Sequence, residues 1–510
     1  MAGRDEAIRG VCESTDRAAA PTGGLREGLL VATLSALVFI VAVTPAYHGP
    51  GLADEFVYLL GAQRFAEDSS LNAIFYDAVA IIDKGFPHQD VHSPGYVMAL
   101  GLFMRIMGPG YWSAVALNGL AFCLSAWLIW DITRQLGSKP TGLRAAACFA
   151  VLPTSAIFSS WVMAEVLLGA TLLLAAWIAV RWGHRPSGGL MCGVAFGVAV
   201  LVRESALFGL PVIISLVSRS KRSLAAFLLS TVVFLGLVYA PLNRGRAPGG
   251  ANFWAPGGGG VFGFEAAEAA ARGHIGEAMR LALARASANG TAFVSANGDS
   301  DKAILILYSL IVAYVWSGLS RLTPRRQKLL VPLSIGLGTI VVVLFTFYVA
   351  GQWSGYRYLM LFLPLFLALL PEDCGSGTDW SSRSVLPALI LACVLVDVRA
   401  FGILDTFKRR SDPSALPMDE IAYVDRYVVR SPTRVVWQNG FAYGLRHYPC
   451  EVITTSLPQD EATLRALQKA VWYDYVVVSN WQTLFDGRDR YELINRGDPS
   501  PLLKIYRRKR

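Results

Sequence analysis

The sequence predicts an α-helical polytopic membrane protein with about eleven transmembrane helices and a small C-terminal α/β domain. Three observations predict this fold class. Of the 510 residues, 54% are hydrophobic and only 16% are charged, whereas a soluble domain carries about 25% charged residues. Apolar runs near the length of a membrane span recur through residues 25–400. After residue 400 the composition becomes that of a soluble segment.

Residues 1–24 are polar and rich in Ala and Gly, which predicts a disordered cytoplasmic tail. The first apolar run lacks a signal-peptide cleavage site, so it is interpreted as a retained span. As an alternative to two spans, 188–202 and 205–217 could form one long broken helix. The predicted spans are 25–46, 112–133, 143–160, 163–180, 188–202, 205–217, 223–242, 302–319, 328–349, 356–371 and 384–399.

Lysine and arginine collect in alternate turns between the predicted spans. Cytoplasmic loops are enriched in these residues, so the basic turns are placed inside, together with the N-terminus. Residues 47–111, 243–301 and the C-terminal segment then lie on the outer face. The net charge of +9 is thereby explained by topology and not by nucleic-acid binding. The basic residues are Arg134, Lys139, Arg144, Arg219, Lys221, Arg222, Arg321, Arg325, Arg326 and Lys328.

Two segments of the predicted outer loops have their own structure. Residues 92–107 are apolar enough for a span, but counting them as one would place every basic turn outside. They are therefore predicted to form a helix that lies in the outer interface or dips into the membrane re-entrantly. In the second outer loop, a helix is predicted from Glu265 to Ala288. The glycine-rich tract before it is interpreted either as a mobile flap over a site or as slack linker.

The C-terminal segment, 401–510, has the pattern of an extracytoplasmic α/β domain. Residues 434–439 and 473–480 are predicted strands, and Gln459 to Ala470 is a predicted helix between them. The segment contains neither a GxGxxG nor a GxxxxGK[ST] nucleotide motif. This suits an outer face that has no access to cytoplasmic nucleotides. The seven cysteines show no metal-like spacing.

An acidic pair, Asp54 and Glu55, comes just past the first predicted span, at a membrane surface. A carboxylate there can act as general base toward an acceptor hydroxyl, or can hold a metal. The alternative is helix capping, because acidic residues favour the first turn of a helix.

Histidine and arginine residues appear at three further positions. His92 precedes Pro94, which suits the start of a helix. Arg203 and Glu204 interrupt an apolar stretch, and ionisable groups at membrane depth usually face a cavity, a partner or a substrate. The alternatives are ordinary capping for His92, and an ion pair or a tight turn for Arg203. Arg357 lies at the outer end of a span, where it would either bind phosphate or snorkel within an aromatic belt.

These residue types suit one task together. Basic groups at membrane depth would hold a lipid-linked phosphate and stabilise it as a leaving group. The acidic pair would deprotonate the incoming acceptor.

Over residues 25–400 the chain resembles the GT-C superfamily of integral-membrane glycosyltransferases. The closest resemblance is to the bacterial branch related to protein O-mannosyltransferases and to the lipid A aminoarabinose transferases. The order and spacing of the motifs carry the resemblance. They are the acidic pair, HSPGY with the Arg-x-x-Gly segment from Arg105 to Gly108, the acidic residue in WVMAEVLL, LVRESAL, and GYRYLMLFLPLF.

The resemblance implies a GT-C-like fold and a polyprenyl-phosphate-linked sugar donor used on the outer face, usually with inversion. Some members of the superfamily use a divalent metal and others do not, so the resemblance leaves a metal requirement open. His92 takes the place of a histidine that precedes a Pro-Pro pair in many members, and here Ser93-Pro94 departs from that pair. The implied roles are general base for Asp54, helper or cap for Glu55, phosphate ligand for Arg203 and Arg357, cavity lining for Glu165, and a further phosphate contact for Lys84.

The implied partners are the lipid bilayer, the sugar donor and a glycan, lipid or protein acceptor, with no nucleic acid. The implied location is a bacterial inner membrane. Two other function classes were weighed. A transporter or flippase predicts inverted repeats and charges at the bilayer midplane, and the sequence shows no internal repeat. A non-catalytic membrane scaffold predicts that the acidic pair is dispensable.

Overall fold

The computed structural model shows a helical bundle joined to a mixed β-sheet. The structure describes residues 23–43, 53–71, 75–77, 93–136, 139–151, 159, 161–218, 220–243, 265–295, 324–347, 363–368, 422–428, 434–437, 451–454, 461–479, 485–486, 488–495 and 503–509.

The described residues contain fourteen α-helices, numbered in chain order. The first nine are α1 Gly23–Val43, α2 Ala53–Asp68, α3 Pro94–Met107, α4 Tyr111–Leu136, α5 Lys139–Val151, α6 Ala164–Trp182, α7 Pro186–Val202, α8 Leu210–Val217 and α9 Lys221–Asn243. The others are α10 Glu265–Ala271, α11 Ile275–Ser295, α12 Pro324–Phe347, α13 Leu363–Ala368 and α14 Glu461–Ala470. A 3₁₀-helix, Glu204–Gly209, leads into α8, and α9 contains a π-helical turn at Leu235–Tyr239.

Side-chain contacts show how α1, α4 and α6 run relative to one another. A Cβ on Gly28 would lie 2.9 Å from Trp127 Nε1, and one on Gly119 would lie 2.5 Å from Phe39 Cε1. Helices α1 and α4 are therefore antiparallel. Helices α4 and α6 are parallel, because hydrogen bonds link their N-terminal ends and, separately, their C-terminal halves.

Helices α5, α7 and α8 also alternate in direction along the bundle. Phe149 of α5 stacks on Phe122 of α4 at 5.1 Å, while the start of α5 lies beside the end of α4. Helix α7 runs back along α6, from a contact at Trp182 to an ion pair at Glu165. Helix α8 then follows α6 again, since a Cβ on Gly209 would lie 2.9 Å from Leu172. The segments 188–202 and 205–217 are thus separate and form a hairpin, not one broken helix.

We call the end of the bundle where α1, α5, α7 and α9 finish the site end. Helix α3 both begins and ends at the site end. Its first turn packs on the end of α7, and α4 starts at the same end just after it. The helix therefore does not cross the bundle, as the predicted topology requires.

Three of the described helices are long and apolar enough to cross a membrane, namely 111–136, 164–182 and 221–243. Shorter apolar helices lie at 94–107, 186–202, 204–217 and 329–339. The spans predicted at 302–319 and 384–399 lie outside the described residues, as does the glycine-rich tract.

The helix predicted from Glu265 to Ala288 is two helices, α10 and α11. Gly273 between them has φ +83° and ends the first helix.

The sheet has six strands in the order β1-β3-β2-β4-β6-β5. Strands β1 to β4 pair in parallel, while β6 pairs antiparallel with β4 and β5. Two of these strands and α14 were predicted. The strands are β1 Phe75–Asp77, β2 Arg434–Trp437, β3 Glu451–Thr454, β4 Tyr475–Ser479, β5 Tyr491–Leu493 and β6 Leu503–Arg508.

The α/β domain is not built from residues 401–510 alone. Strand β1 comes from the first predicted outer loop and pairs with β3, with Phe75 opposite Val452. Helix α2 from the same loop places Leu60 in the apolar cluster on one face of the sheet. Leu59, the next residue, is buried in the core of the helical bundle. Helix α2 therefore lies between the bundle and the sheet and contacts both.

Replacing Leu60 with alanine is expected to weaken this junction. Leu60 is fully buried, and such a truncation in a well-packed core costs about 2–5 kcal/mol. We expect faster proteolysis of the C-terminal domain at its boundary with the bundle. Leu71→Ala, at a partly buried position just past α2, is the control. Equal proteolysis of both variants and the parent would show that Leu60 does not hold the two parts together.

Candidate active site

Arg203 is anchored at the site end by an ion pair with Glu165. Residue 203 has an extended backbone, with φ −164° and ψ 135°, between α7 and the 3₁₀-helix. Its Nη1 donates to Oε1 of Glu165, whose side chain is 4% exposed against 15% for Arg203. Glu165 lies in the first turn of α6, where negative charge is favoured. The structure thus confirms the ion-pair alternative for Arg203.

Glu204 has different hydrogen-bond partners from those of its neighbour Arg203. Its Oε2 accepts a hydrogen bond from Ser93 Oγ at 2.5 Å, and its Oε1 accepts one from the Tyr239 hydroxyl at 2.9 Å. One residue therefore links the start of α3, the hairpin turn and the π-helical turn of α9.

Glu55 of the predicted acidic pair is buried inside the protein. It is 0% exposed, and its Oε1 accepts a hydrogen bond from the Val162 backbone N–H at 2.8 Å. The carboxylate therefore ties the first turn of α2 to the segment that leads into α6. Asp54 is the second residue of α2, which places it inside the first turn and not at the N-cap position.

The peptide group between Trp161 and Val162 is held on both sides. Its N–H donates to Glu55, and its carbonyl accepts from Asn118 Nδ2 at 2.5 Å. Asn118 Oδ1 in turn accepts from the Tyr96 hydroxyl at 3.1 Å. Hydrogen bonds in series strengthen one another in a low-dielectric interior. The chain from Tyr96 to Glu55 therefore connects α3, α4 and α2 through a single peptide group.

Arg105 fastens α2 to α3 at the far end of both helices. Its guanidinium donates to the carbonyls of Phe65 and Ala66 at 2.7 and 2.8 Å and to Ser69 Oγ at 2.6 Å. These carbonyls belong to the last turn of α2, where backbone acceptors have few helical partners; the Phe65 carbonyl also accepts the Ser69 N–H at 3.0 Å. The Arg-x-x-Gly part of the resemblance therefore has a structural role.

Three predicted site residues, Lys84, His92 and Arg357, lie outside the described residues. Ser93, immediately after His92, belongs to the described site. Among the described residues, no group of three or more His, Cys, Asp or Glu side chains could hold a metal ion. Glu55 and Glu165 are engaged by a backbone amide and a guanidinium respectively, which makes them poor metal ligands in this arrangement.

A second charged cluster lies at the opposite end of the bundle. Asp131, 2% exposed, accepts hydrogen bonds from Arg134, Gln135 and Trp177, and Arg181 lies 3.9 Å away. The cluster joins α4 to α6. The sequence analysis assigned Arg134 to topology and did not single out Asp131.

Sequence reasoning also missed Tyr96, Asn118 and Tyr239 as members of the site. Tyr96 stood inside the HSPGY motif, which is a signal that could have found it. Asn118 is a polar residue in an apolar span, which usually indicates a hydrogen bond to another helix. Tyr239 carries no comparable local signal.

Comparison with known proteins found one family model and several solved structures that are similar to this chain. Residues 91–242 match the family model described as dolichyl-phosphate-mannose-protein mannosyltransferase. A comparison with curated protein sequences found no match.

Solved structures of similar fold include ArnT from Cupriavidus metallidurans bound to undecaprenyl phosphate. It is 14% identical with a TM-score of 0.57, and the match covers 96% of this chain and 98% of ArnT. AglB from Archaeoglobus fulgidus, in complex with an inhibitory peptide and a dolichol-phosphate, is 12% identical with a TM-score of 0.53, covering 89% and 69%. The arabinofuranosyltransferase AftD from Mycobacteria is 13% identical with a TM-score of 0.50, covering 94% and 41%.

At these identities the likeness is one of fold. The matched segment 91–242 contains Ser93, Glu165, Arg203, Glu204 and Tyr239. The chain therefore has a fold similar to those of ArnT, AglB and AftD, and its segment 91–242 matches the mannosyltransferase model.

Proposed function

We propose that the protein is a hexosyl- or pentosyltransferase that uses a polyprenyl-phosphate-linked sugar on the outer face of a bacterial inner membrane. The acceptor is a hydroxyl of a protein, glycan or lipid. The observation that carries the proposal is the Arg203–Glu165 ion pair at the site end, inside the segment that matches the mannosyltransferase model. ArnT and AglB, which share the fold, were solved with undecaprenyl phosphate and dolichol-phosphate.

Arg203 is suited to hold the phosphate of the donor. A guanidinium stays charged at any physiological pH and has five N–H donors in a planar fork. It can therefore bridge a carboxylate and a phosphate at the same time. Glu165 would orient the fork, while Arg357 and Lys84 are proposed as additional phosphate contacts.

The reaction that suits these groups is a single displacement. The acceptor oxygen attacks the anomeric carbon, and the bond between that carbon and the phosphate oxygen breaks. The acceptor proton passes to Asp54, and the negative charge that develops on the leaving phosphate is stabilised by Arg203. Attack opposite the leaving group inverts the anomeric configuration.

Glu55 is proposed to assist Asp54 by position. The buried bond from Val162 to Glu55 fixes the first turn of α2, and Asp54 is in that turn. His92 is proposed to lie near the acceptor, because its neighbour Ser93 contacts the residue that follows Arg203.

The test is transfer from a panel of polyprenyl-phosphate sugars by purified protein in nanodiscs, with sugar release as the readout. Asp54→Asn removes the base but keeps the size of the side chain. It should lower the rate by about 10²–10⁴-fold, the usual contribution of a general base.

Asp68→Asn is the matched control, because Asp68 is an exposed residue at the other end of the same helix. It should leave the rate unchanged. Full activity of Asp54→Asn would remove Asp54 from the mechanism, and release from no donor, with or without an acceptor, would remove the proposed function.

A further inference from the structure

We propose that Glu204 is a positioning residue of the site. It holds the segment that begins α3 and the π-helical turn of α9 against the hairpin turn that carries Arg203. The proposal rests on the proposed function and goes beyond it, because the acidic residue next to Arg203 has had no role in the reaction so far.

The backbone at the hairpin turn directs the side chains of Arg203 and Glu204 to different partners. Successive side chains of an extended chain point to opposite sides, and residue 203 is extended. Arg203 accordingly reaches Glu165 on α6, while Glu204 reaches Ser93 and Tyr239. The guanidinium is therefore anchored independently of Glu204.

The two oxygens of Glu204 each accept one hydroxyl from a distant part of the chain. Ser93 is 111 residues away in sequence and Tyr239 is 35 residues away. Hydrogen bonds to a charged acceptor are shorter and about twice as strong as those between neutral groups. The carboxylate thus joins three segments at one point.

The sequence Ser-Pro-Gly-Tyr, residues 93–96, places the Ser93 hydroxyl within reach of Glu204. Pro94 starts α3, a position that suits proline. A Cβ on Gly95 would lie 2.5 Å from the backbone carbon and oxygen of Leu201, so only glycine lets the first turn of α3 rest on the end of α7. Tyr96 then bonds Asn118. Together these contacts bring Ser93 onto Glu204 and determine where the chain enters from residue 92.

Helix α9 reaches Glu204 through its π-helical turn. Such turns insert an extra residue, change the direction of the following side chains and occur often at functional sites. Tyr239 is the last residue of the turn, and none of residues 235–243 is buried. The bond from Tyr239 to Glu204 is therefore a polar tether for an end of α9 whose side chains, Leu235 and Tyr239 among them, are at most partly buried against the bundle core.

Glu165 and Glu204 therefore have different roles in the proposed reaction. Glu165 orients Arg203 for the donor phosphate, whereas Glu204 holds the start of α3 and the end of α9 against the turn that carries Arg203. Removing Glu204 should therefore slow the chemical step while the affinity for the donor stays nearly constant.

The experiment measures kcat and donor Kd separately for Glu204→Ala, Glu204→Gln, Ser93→Ala and Tyr239→Phe. Glu204→Ala should lower kcat at least about tenfold and change the donor Kd less than about threefold. Glu204→Gln keeps one acceptor oxygen and should recover part of the lost kcat. In the Glu204→Ala background, the Ser93 and Tyr239 changes should cost nothing further, because coupled residues are non-additive.

Ser230→Ala is the control, because it removes a hydroxyl from α9 that bonds only within its own helix in the described contacts, at 3.0 Å to the Phe227 carbonyl. It should leave kcat and Kd unchanged. A normal kcat for Glu204→Ala, or a loss that appears wholly in the donor Kd, would overturn the proposal.

Hydrogen exchange separates this proposal from the proposed function. In Glu204→Ala, amides of 93–97 and 235–243 should exchange faster, while those of α6 should not. If the unsubstituted protein transfers no sugar from any donor, the proposed function fails, and this exchange pattern alone decides whether Glu204 holds the two segments. Unchanged exchange in both segments would overturn the positioning role whatever the activity.

Discussion

Replacing Gly193 with valine is expected to detach α9 from α7. Three glycines of α7, spaced four apart, face α9, and a Cβ on any of them would overlap atoms of that helix. On Gly193 it would lie 2.0 Å from Ser230 Oγ and 2.5 Å from the Phe227 carbonyl oxygen. Gly189 and Gly197 would meet a backbone oxygen at 2.2 Å and a Phe234 ring carbon at 2.5 Å. This is the small-residue packing that lets membrane helices approach closely.

The effect should be large because the clash involves backbone. Overpacking usually costs about 1–3 kcal/mol when side chains can shift, and a carbonyl oxygen inside a helix cannot. Only 17% of the apolar window of α9 is buried, so little other packing holds it. We expect a lower melting temperature in detergent, and loss of activity since the Tyr239 tether lies at the end of the same helix.

Gly169→Ala is the matched control for this prediction. Gly169 also lies in an apolar helix, α6, but a Cβ there would meet nothing within 4 Å. Alanine should be neutral or slightly stabilising at that position, by about 0.4–1 kcal/mol at most. If Gly193→Val melts at the same temperature as Gly169→Ala, the glycine contact does not hold α9.

Replacing Arg203 with alanine is expected to destabilise the protein and to weaken donor binding. The change leaves the nearly buried Glu165 without its cation, and breaking a buried pair in this way costs about 3–5 kcal/mol. Thermal unfolding would measure the first effect, and a direct binding assay with a polyprenyl phosphate would measure the second.

A double variant separates the two effects. Arg203→Met with Glu165→Gln removes both charges, and apolar or neutral replacement of a buried pair is often nearly neutral for stability. The double variant should therefore recover most of the melting temperature and none of the donor affinity. Recovery of both would show that Arg203 has a structural role only, and unchanged donor affinity in Arg203→Ala would remove it from the phosphate site.

The sequence alone predicted a multi-helix bundle and the approximate positions of most of the helices that the structure describes. Apolar runs locate a helix without knowledge of its neighbours, because a bilayer demands about 20 such residues. The bias of Lys and Arg predicted that 92–107 does not cross, and the structure agrees. Arg203 and Glu204 were singled out because an ionisable residue in an apolar stretch is conspicuous, whereas Glu165 was named only through the family resemblance.

The partners of these residues were not predictable. Ser93 and Glu204 are 111 residues apart, and neither pattern nor composition indicates that they meet. The burial of Glu55 was missed for the same reason, because its partner is a backbone N–H of Val162, and every residue except proline has one. The glycine repeat in α7 was a local signal that the sequence analysis overlooked.

The strands of the C-terminal domain show which elements the local sequence pattern can predict and which it cannot. Strands β2 and β4 were predicted, because β-branched runs have a strong local preference. Strand β1 was not, since three residues from a loop far upstream become a strand only by pairing with β3.

The pattern of the chain was enough to predict a multi-helix membrane bundle and to single out an acidic pair and Arg203, because hydropathy and the cost of buried charge act on each segment alone. The folded arrangement was needed to show that Glu55 is buried, that Arg203 pairs with Glu165 while Glu204 bonds Ser93 and Tyr239, and that α2 joins the bundle to the sheet. Those outcomes depend on contacts between distant segments, which form only when the helices pack together.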